Sequence, residues 1–428
     1  MPEKRFFNRF RTLASVYSPL DGMNEKEALE LLDVARMDGK EGKQMERREI
    51  DRHEHQLHTD SFIASECVNT GRQFEVDCVK FFAIFFMICI HVYEQLGNYD
   101  YHTMMPEGFF RNAMEFLGGP MAAPVFMFTM GIGMVYTRHN SPGAFIKRGW
   151  KLLFMGFALN FFRETFLEIL GNVLLGMDYS FEYIADGFLN IDILQFSGMT
   201  FLVVGFLKKA GIGTKRMLMI GVLIQAIGMW ATHLTFSSVI PGNLLGLLLP
   251  TGEKVAFPFS LWCLYPLLGM IFAEYLQRVC DKDRFYRIIL ISGVVVALAF
   301  TSCFCWIGYD IRYIYALADN SYYHQTFIGV LWIAAFVLIA LGISHFLLGK
   351  MEQTKAGTFI CFCSRNLNVI YIIQWLIIAW TVAFVTAMNI EVKLRAVEII
   401  LVGLLISSLS IGMISLWKRM RRRDTFCR

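Results

Sequence analysis

Charge is what this sequence has least of. Asp, Glu, Lys and Arg make up 18% of its 428 residues, hydrophobic residues 55%, and mean hydropathy is +0.47. A soluble domain of that length needs a charged exterior, so the composition excludes an ordinary soluble globule. A cleavable secretory leader is not expected either. Met1 to Arg11 is basic and aromatic, without an apolar core or a small-residue cleavage site, so insertion should begin at the first true span. Missing too are a zinc-protease His pair, a Walker phosphate loop and a nucleophile elbow. Gly131-Ile-Gly133 lies in an apolar run with no strand before it, which speaks against a nucleotide loop; with Gly118 and Gly119 it reads as close helix packing. The ten cysteines form no secreted disulfide framework. Cys78, Cys89, Cys263, Cys361 and Cys363 sit in or beside apolar runs, as small buried hydrophobes do. Cys303-x-Cys305 lacks further ligands at metal spacing, so no metal is expected.

What the sequence does have is bilayer-length apolar blocks. About ten fall at roughly 79–97, 113–136, 149–171, 190–207, 216–234, 255–277, 287–308, 326–348, 358–386 and 395–417. The segment 238–250, interrupted by Pro241, Gly242 and Pro250, is too short to span and is expected to be re-entrant or interfacial. Loop charges alternate along this series. One set is basic: Arg138, Lys147, Arg148 and Lys151; Lys208, Lys209, Lys215 and Arg216; Arg278, Lys282, Arg284 and Arg287; Lys350 and Lys355; and Lys418 to Arg423. The other is acidic or mixed: Asp100 and Glu107; Asp178, Glu182 and Asp186; Glu253 and Lys254; Asp310, Arg312 and Asp319; Glu391 and Lys393. The positive-inside rule then puts both termini in the cytoplasm and requires an even span count. The prediction is an all-α polytopic transmembrane bundle of about ten spans in three parts. Residues 1–70 are a polar cytosolic appendage, 71–418 the membrane domain and 419–428 a basic cytosolic tail. In the appendage, Asn24 would cap a short helix over Glu25 to Arg36, and His53, His55 and His58 read as part of a solvated charged face. The basic tail fits topology and anionic membrane lipid, so no nucleic-acid partner is expected.

Ionisable groups inside a membrane are expensive, so each is a functional candidate. His91 lies eleven residues after Lys80, about 16 Å along a helix, which puts it near mid-membrane if Lys80 marks the cytoplasmic start. Imidazole can accept a proton near neutral pH, and Glu94, on the same helical face, could orient the ring. A His hydrogen-bonded between helices is the plainer alternative. Arg163, Glu164 and Glu168 sit in the third span; Arg163 and Glu164 are adjacent and should not face each other, whereas Glu164 and Glu168 share a face. Asp192 and Gln195 are one turn apart in the fourth span, and Asn366, Asn368 and Gln374 lie in the ninth.

These residues resemble a known superfamily. Phe74-Glu-Val-Asp77-Cys-Val-Lys80, ten residues, then His91, is similar to the first span of membrane acyltransferases of the acyltransferase type three family, which carry a basic residue, ten residues and His. Pro120-Met-Ala-Ala-Pro124 through Gly133, Phe145-Ile-Lys-Arg148-Gly-Trp-Lys151 and Asp192-Ile-Leu-Gln195-Phe-Ser-Gly198 resemble spans two to four of the heparan-α-glucosaminide N-acetyltransferase-like branch. Ser364-Arg-Asn366 through Tyr371 and Gln374 resembles a late span of the wider superfamily. The match covers roughly residues 72–417. Gln374 stands where relatives often have His, and Lys151 replaces a common Arg; a point-charge phosphate contact survives that change, a bidentate one does not.

The resemblance implies transfer of an acyl group, expected to be acetyl, from a cytoplasmic coenzyme A thioester. The acceptor would be a hydroxyl or amine of an extracytoplasmic sugar or lipid-linked glycan, and the setting a bacterial plasma membrane. Arg72, Lys80, Lys147, Arg148 and Lys151 would hold the coenzyme A phosphates. His91 would act as base or transient acyl carrier with Glu94, and Asn366, with Arg365, would steady the oxyanion. Arg163, Glu164, Asp192, Gln195 and Gln374 would line the acceptor side. Asp77 is too near the cytoplasm to reach His91 and should pair with a basic residue. A homodimer is compatible with all of this. Two other classes stay open: a proton-coupled transporter, disfavoured by the lack of an internal repeat, and an inactive membrane sensor or scaffold.

Overall fold

In hydrocarbon a segment must satisfy its own backbone, and helices do this without a partner. In the computed structural model no β-strand occurs among the described residues, which are 62–97, 108–234, 238–251, 255–316 and 321–426. The Glu25 to Arg36 helix, the appendage histidines and the loop charges Asp100, Glu107, Glu253, Lys254 and Asp319 lie outside these residues. The main helices are α1 (Phe74–Leu96), α2 (Phe109–Gly118), α3 (Ala123–Tyr136), α4 (Pro142–Asn160), α5 (Phe166–Leu175), α6 (Phe181–Phe188), α7 (Ile193–Lys209) and α8 (Thr214–Ala231). They continue with α9 (Leu264–Arg278), α10 (Lys282–Trp306), α11 (Phe327–Ile343), α12 (Lys355–Arg365), α13 (Leu367–Ala387) and α14 (Ala396–Phe426).

Seven helical stretches among the described residues are long and apolar enough to cross a membrane: Phe74–Leu96, Phe109–Tyr136, Phe259–Arg278, Lys282–Trp306, Phe327–Met351, Leu367–Ala387 and Ala396–Arg421. The other three expected spans correspond to helices as well, α4 with α5, α7 and α8, which are shorter or carry more charge. Burial separates inner from outer helices. The apolar window of Phe259–Arg278 is 78% buried, that of Lys282–Trp306 only 17%. Ile291, Val295 and Leu298 of α10 and Leu401, Leu405 and Leu409 of α14 are exposed, a surface that only a lipid environment tolerates. Exposed Trp150 and Trp417 lie near one end of the bundle and Trp306, Tyr309 and Tyr313 near the other, as amphipathic rings do at membrane interfaces.

The two sets of loops segregate to opposite ends. At the basic end Lys208 Nζ donates to the Asn140 carbonyl (3.3 Å), Lys282 Nζ reaches Glu75 Oε1 and Gln73 Oε1 (2.8 Å each), and Lys418 Nζ donates to Asn366 Oδ1 (2.6 Å). At the other end Leu394 N donates to the Leu96 carbonyl (2.8 Å), Ala256 N to that of Ile191 (3.0 Å), and Asn243 Nδ2 to Asp186 Oδ1 (2.6 Å). The 238–250 segment forms a short helix, Val239–Gly246, then folds back: Thr251 Oγ1 donates to the Gly242 carbonyl, and Phe259 N and Ser260 N donate to Leu247 and Leu248.

Several boundaries differ from the sequence reading, each for a physical reason. Helix α1 begins at Phe74, six residues before Lys80, because Glu75 and Asp77 are neutralised by Lys282 and Arg72. The second span breaks between α2 and α3, where Pro120 and Pro124 cannot continue the ladder. The third widens into a π-turn over Phe161–Thr165. The ninth breaks at Asn366, whose backbone leaves helical geometry (φ −108°, ψ 13°) and whose Nδ2 donates to the Phe362 carbonyl. Helix α14 runs on through the expected tail to Phe426. Of the four glycines, Gly131 does bring helices together: a Cβ there would sit 1.9 Å from the Pro266 carbonyl oxygen, and one at Gly269 would meet that of Phe128 at the same distance. Gly118 likewise abuts Ile90, whereas Gly133 faces open space.

Candidate active site

Helix α1 carries Lys80, His91 and Glu94 on one face. Lys80 and His91 are three turns apart, and Glu94 follows one turn later. Because α1 starts at Phe74, His91 stands about 25 Å along it, in its last third. The ring is gripped by α13. Its Nδ1 lies 3.2 Å from Oε1 and 3.1 Å from Nε2 of the fully buried Gln374 carboxamide. Trp375 stacks against it, with centroids 4.0 Å apart and planes 33° apart, and Tyr371 meets it edge-on at 6.4 Å. Gln374, and not Glu94, therefore orients His91. Glu94 is half-buried and makes no hydrogen bond among the described residues.

Beside His91 lies a buried ion network that joins three elements. Arg163, on the π-turn, donates through Nε to Glu164 Oε1 and through Nη1 to Asp192 Oδ2, both at 2.9 Å. Its guanidinium also covers Trp375 at 4.3 Å, so the indole contacts both His91 and Arg163. Tyr371 Oη donates to the same Asp192 oxygen (2.6 Å), and Asn190 Nδ2 to Glu164 Oε1 (3.2 Å). Adjacent Arg163 and Glu164 thus do face each other: the π-turn departs from α spacing, and the long arginine reaches back. Glu164 and Glu168 share a face, as expected, and both flank Gly187. Asp192 is the N-cap of α7. It accepts from Ile193 N and forms a capping box in which Gln195 Oε1 accepts from Asp192 N (3.3 Å). Gln195 thereby supports Asp192 from behind, packed against Gly156.

The other expected site residues sit at the basic end. Asp77 pairs with Arg72, as expected, and accepts from Ser364 Oγ (2.6 Å) and Cys361 Sγ (3.5 Å), tying α1 to α12. Lys80 lies within electrostatic reach of Arg72, Arg148 and Asp77. Lys147, Arg148 and Lys151 are exposed on α4, and Arg148 lies over the Phe201 ring at 4.5 Å. Asn366 is not brought to His91. It lies about 12 Å along the chain's helical path from Gln374, and both ends of its carboxamide are engaged, by Phe362 and Lys418. Sequence reasoning assigned no role to Tyr371 and Trp375. Their spacing with Gln374, i, i+3 and i+4, was the available signal, but aromatics on an apolar helix look like ordinary core.

A family model described as an acyltransferase domain matches residues 73–416, from the start of α1 to near the end of α14's apolar stretch. The chain belongs to the acyltransferase type 3 family. No curated protein and no solved structure matches it. This membrane acyltransferase holds one half-buried imidazole against a buried carboxamide, and among the described residues the ring's Nε2 has no protein partner. Such an arrangement can exchange a proton with a reacting group while its surroundings keep the ring still.

Proposed function

We propose that this acyltransferase moves an acyl group, acetyl by preference, from coenzyme A at the basic end to a hydroxyl or amine of a sugar or lipid-linked glycan at the opposite end. The observation that carries this reading is the shared face of α1: exposed cations near Lys80 at one end, a partly open, firmly held His91 three turns on. Arg72, Arg148 and Lys80, with Lys147 and Lys151 alongside, suit the phosphates of the donor. The pantetheine arm would run along α1 toward His91. There the acceptor's hydroxyl or amine proton passes to His91 as its oxygen or nitrogen attacks the thioester carbonyl carbon. The C–S bond breaks, and the sulfur leaves with the proton from His91. Glu94, Asp192 and Glu164 make the acceptor side rich in carboxylates, which suits hydroxyl and amine donors. By loop charge, the basic end and both termini face the cytoplasm.

The test is turnover of acetyl-CoA by the purified protein, with and without His91→Ala. A fall of about 100-fold or more is expected; undiminished transfer would remove His91 from the reaction.

A further inference from the structure

The contact between His91 and Gln374 raises the question of which group donates. A carboxamide has a donor end and an acceptor end, and the ring Nδ1 meets both within hydrogen-bond distance, 3.1 Å to Nε2 and 3.2 Å to Oε1. The two arrangements have opposite chemistry. If Nδ1–H donates to Oε1, the lone pair is left on Nε2, the nitrogen with no protein partner among the described residues. If Gln374 Nε2–H donates to Nδ1, the lone pair is consumed and Nε2 carries the proton.

We infer that Gln374 is a positioning residue whose Oε1 accepts from His91 Nδ1, fixing the tautomer that leaves Nε2 free to take a proton from the acceptor. The inference deepens the acyl-transfer reading and rests on it. The assignment follows from that reading: the open ring Nε2 must hold the lone pair, so Nδ1 carries the proton, and its partner among the described residues, Gln374, presents Oε1 to it. Three features then hold ring and carboxamide in this pairing. Gln374 is completely buried, so water does not compete for the ring's Nδ1. Trp375, one residue on, lies against the ring at 4.0 Å and hinders its rotation about the Cβ–Cγ bond. Trp375 is itself covered by the Arg163 guanidinium, which Asp192 and Glu164 anchor. Gln374 thus sets which nitrogen is protonated, and Trp375 sets the plane in which the other nitrogen points. A neutral acceptor at Nδ1 leaves the imidazole less basic than a carboxylate there would, which suits a base that must return its proton to the departing sulfur.

Carbethoxylation of His91 by diethylpyrocarbonate, read by mass on the His91 peptide of the full-length detergent-solubilised protein, separates the arrangements without any acceptor. The reagent needs a free lone pair. Wild-type His91 is expected to react readily, and Gln374→Leu, which releases the tautomer, to slow it several-fold. An unreactive wild-type His91, or a Gln374→Leu rate equal to or above wild type, overturns the inference. In turnover, Gln374→Leu should lower kcat about 10- to 100-fold with the KM for acetyl-CoA unchanged. Gln374→Glu keeps an acceptor of the same size and restores the rate, but its charge favours imidazolium and moves the acid limb of the pH profile up by about one unit. An unshifted limb in that variant also overturns the inference. If His91→Ala keeps full transfer while the carbethoxylation results hold, the acyl-transfer reading fails and the tautomer assignment stands.

Discussion

At the scale of single residues, the ionisable groups of the site were legible because charge in an apolar run is conspicuous. His91, Glu94, Arg163, Glu164 and Asp192 stand out for that reason. Their wiring was not legible. Sequence places Gln374 among the acceptor-side groups, whereas its carboxamide contacts His91, the position that spacing alone suggests for Glu94. Asn366 looked like an oxyanion donor because an amide near a break in an apolar run is unusual; it serves to close that break. The Arg163 network makes a sharp prediction. Its side chain is 4% exposed and compensates two carboxylates. Arg163→Met should cost about 3–5 kcal/mol, since Asp192 and Glu164 lose their buried partner. Arg163→Lys should recover little of it, because an ammonium cannot reproduce the planar fork that reaches both carboxylates. Thermal unfolding in detergent measures this; a midpoint unchanged in Arg163→Met would show the network to be dispensable for stability.

At the scale of elements, periodicity found nearly every helix and missed what happens inside them. The π-turn at Phe161–Thr165 follows from no local propensity. It satisfies Arg163 and Glu164 against Asp192 and Asn190, partners that lie 26 to 29 residues away in sequence. The break before α3 was signalled by Pro120 and Pro124, but hydropathy averages across such interruptions. Glycines show the same limit. Gly131 and Gly133 look alike in sequence, and only the crossing of α3 with Phe259–Arg278 separates them. Gly131→Ala should lower the thermal midpoint clearly, because its Cβ would collide with the Pro266 carbonyl, while Gly133→Ala should leave it unchanged or slightly raised. Equal effects at the two positions would contradict the packing described for this pair.

At the scale of the whole molecule, loop charge was the most informative feature of the sequence. Lys and Arg counts alone sorted the loops into two sets, and the contacts of Lys208, Lys282 and Lys418 on one side, and of Leu394, Ala256 and Asn243 on the other, place those sets at opposite ends. Position along the first helix was less legible. Counting from Lys80 leaves out the charged first turn, whereas Glu75 and Asp77 are buried within α1 as ion pairs, so His91 falls in the last third of that helix. That placement gives the bundle its proposed direction, with donor phosphates at one end and chemistry close to the other. The most direct test uses proteoliposomes with radiolabelled acetyl-CoA supplied only on the face that carries Lys147, Arg148 and Lys151, and glucosamine, as a hydroxyl- and amine-bearing probe, confined to the other. The account predicts label on the glucosamine with wild-type protein and a loss of about 100-fold or more with His91→Ala. Equal labelling by His91→Ala, or labelling only when donor and acceptor share a face, would contradict it.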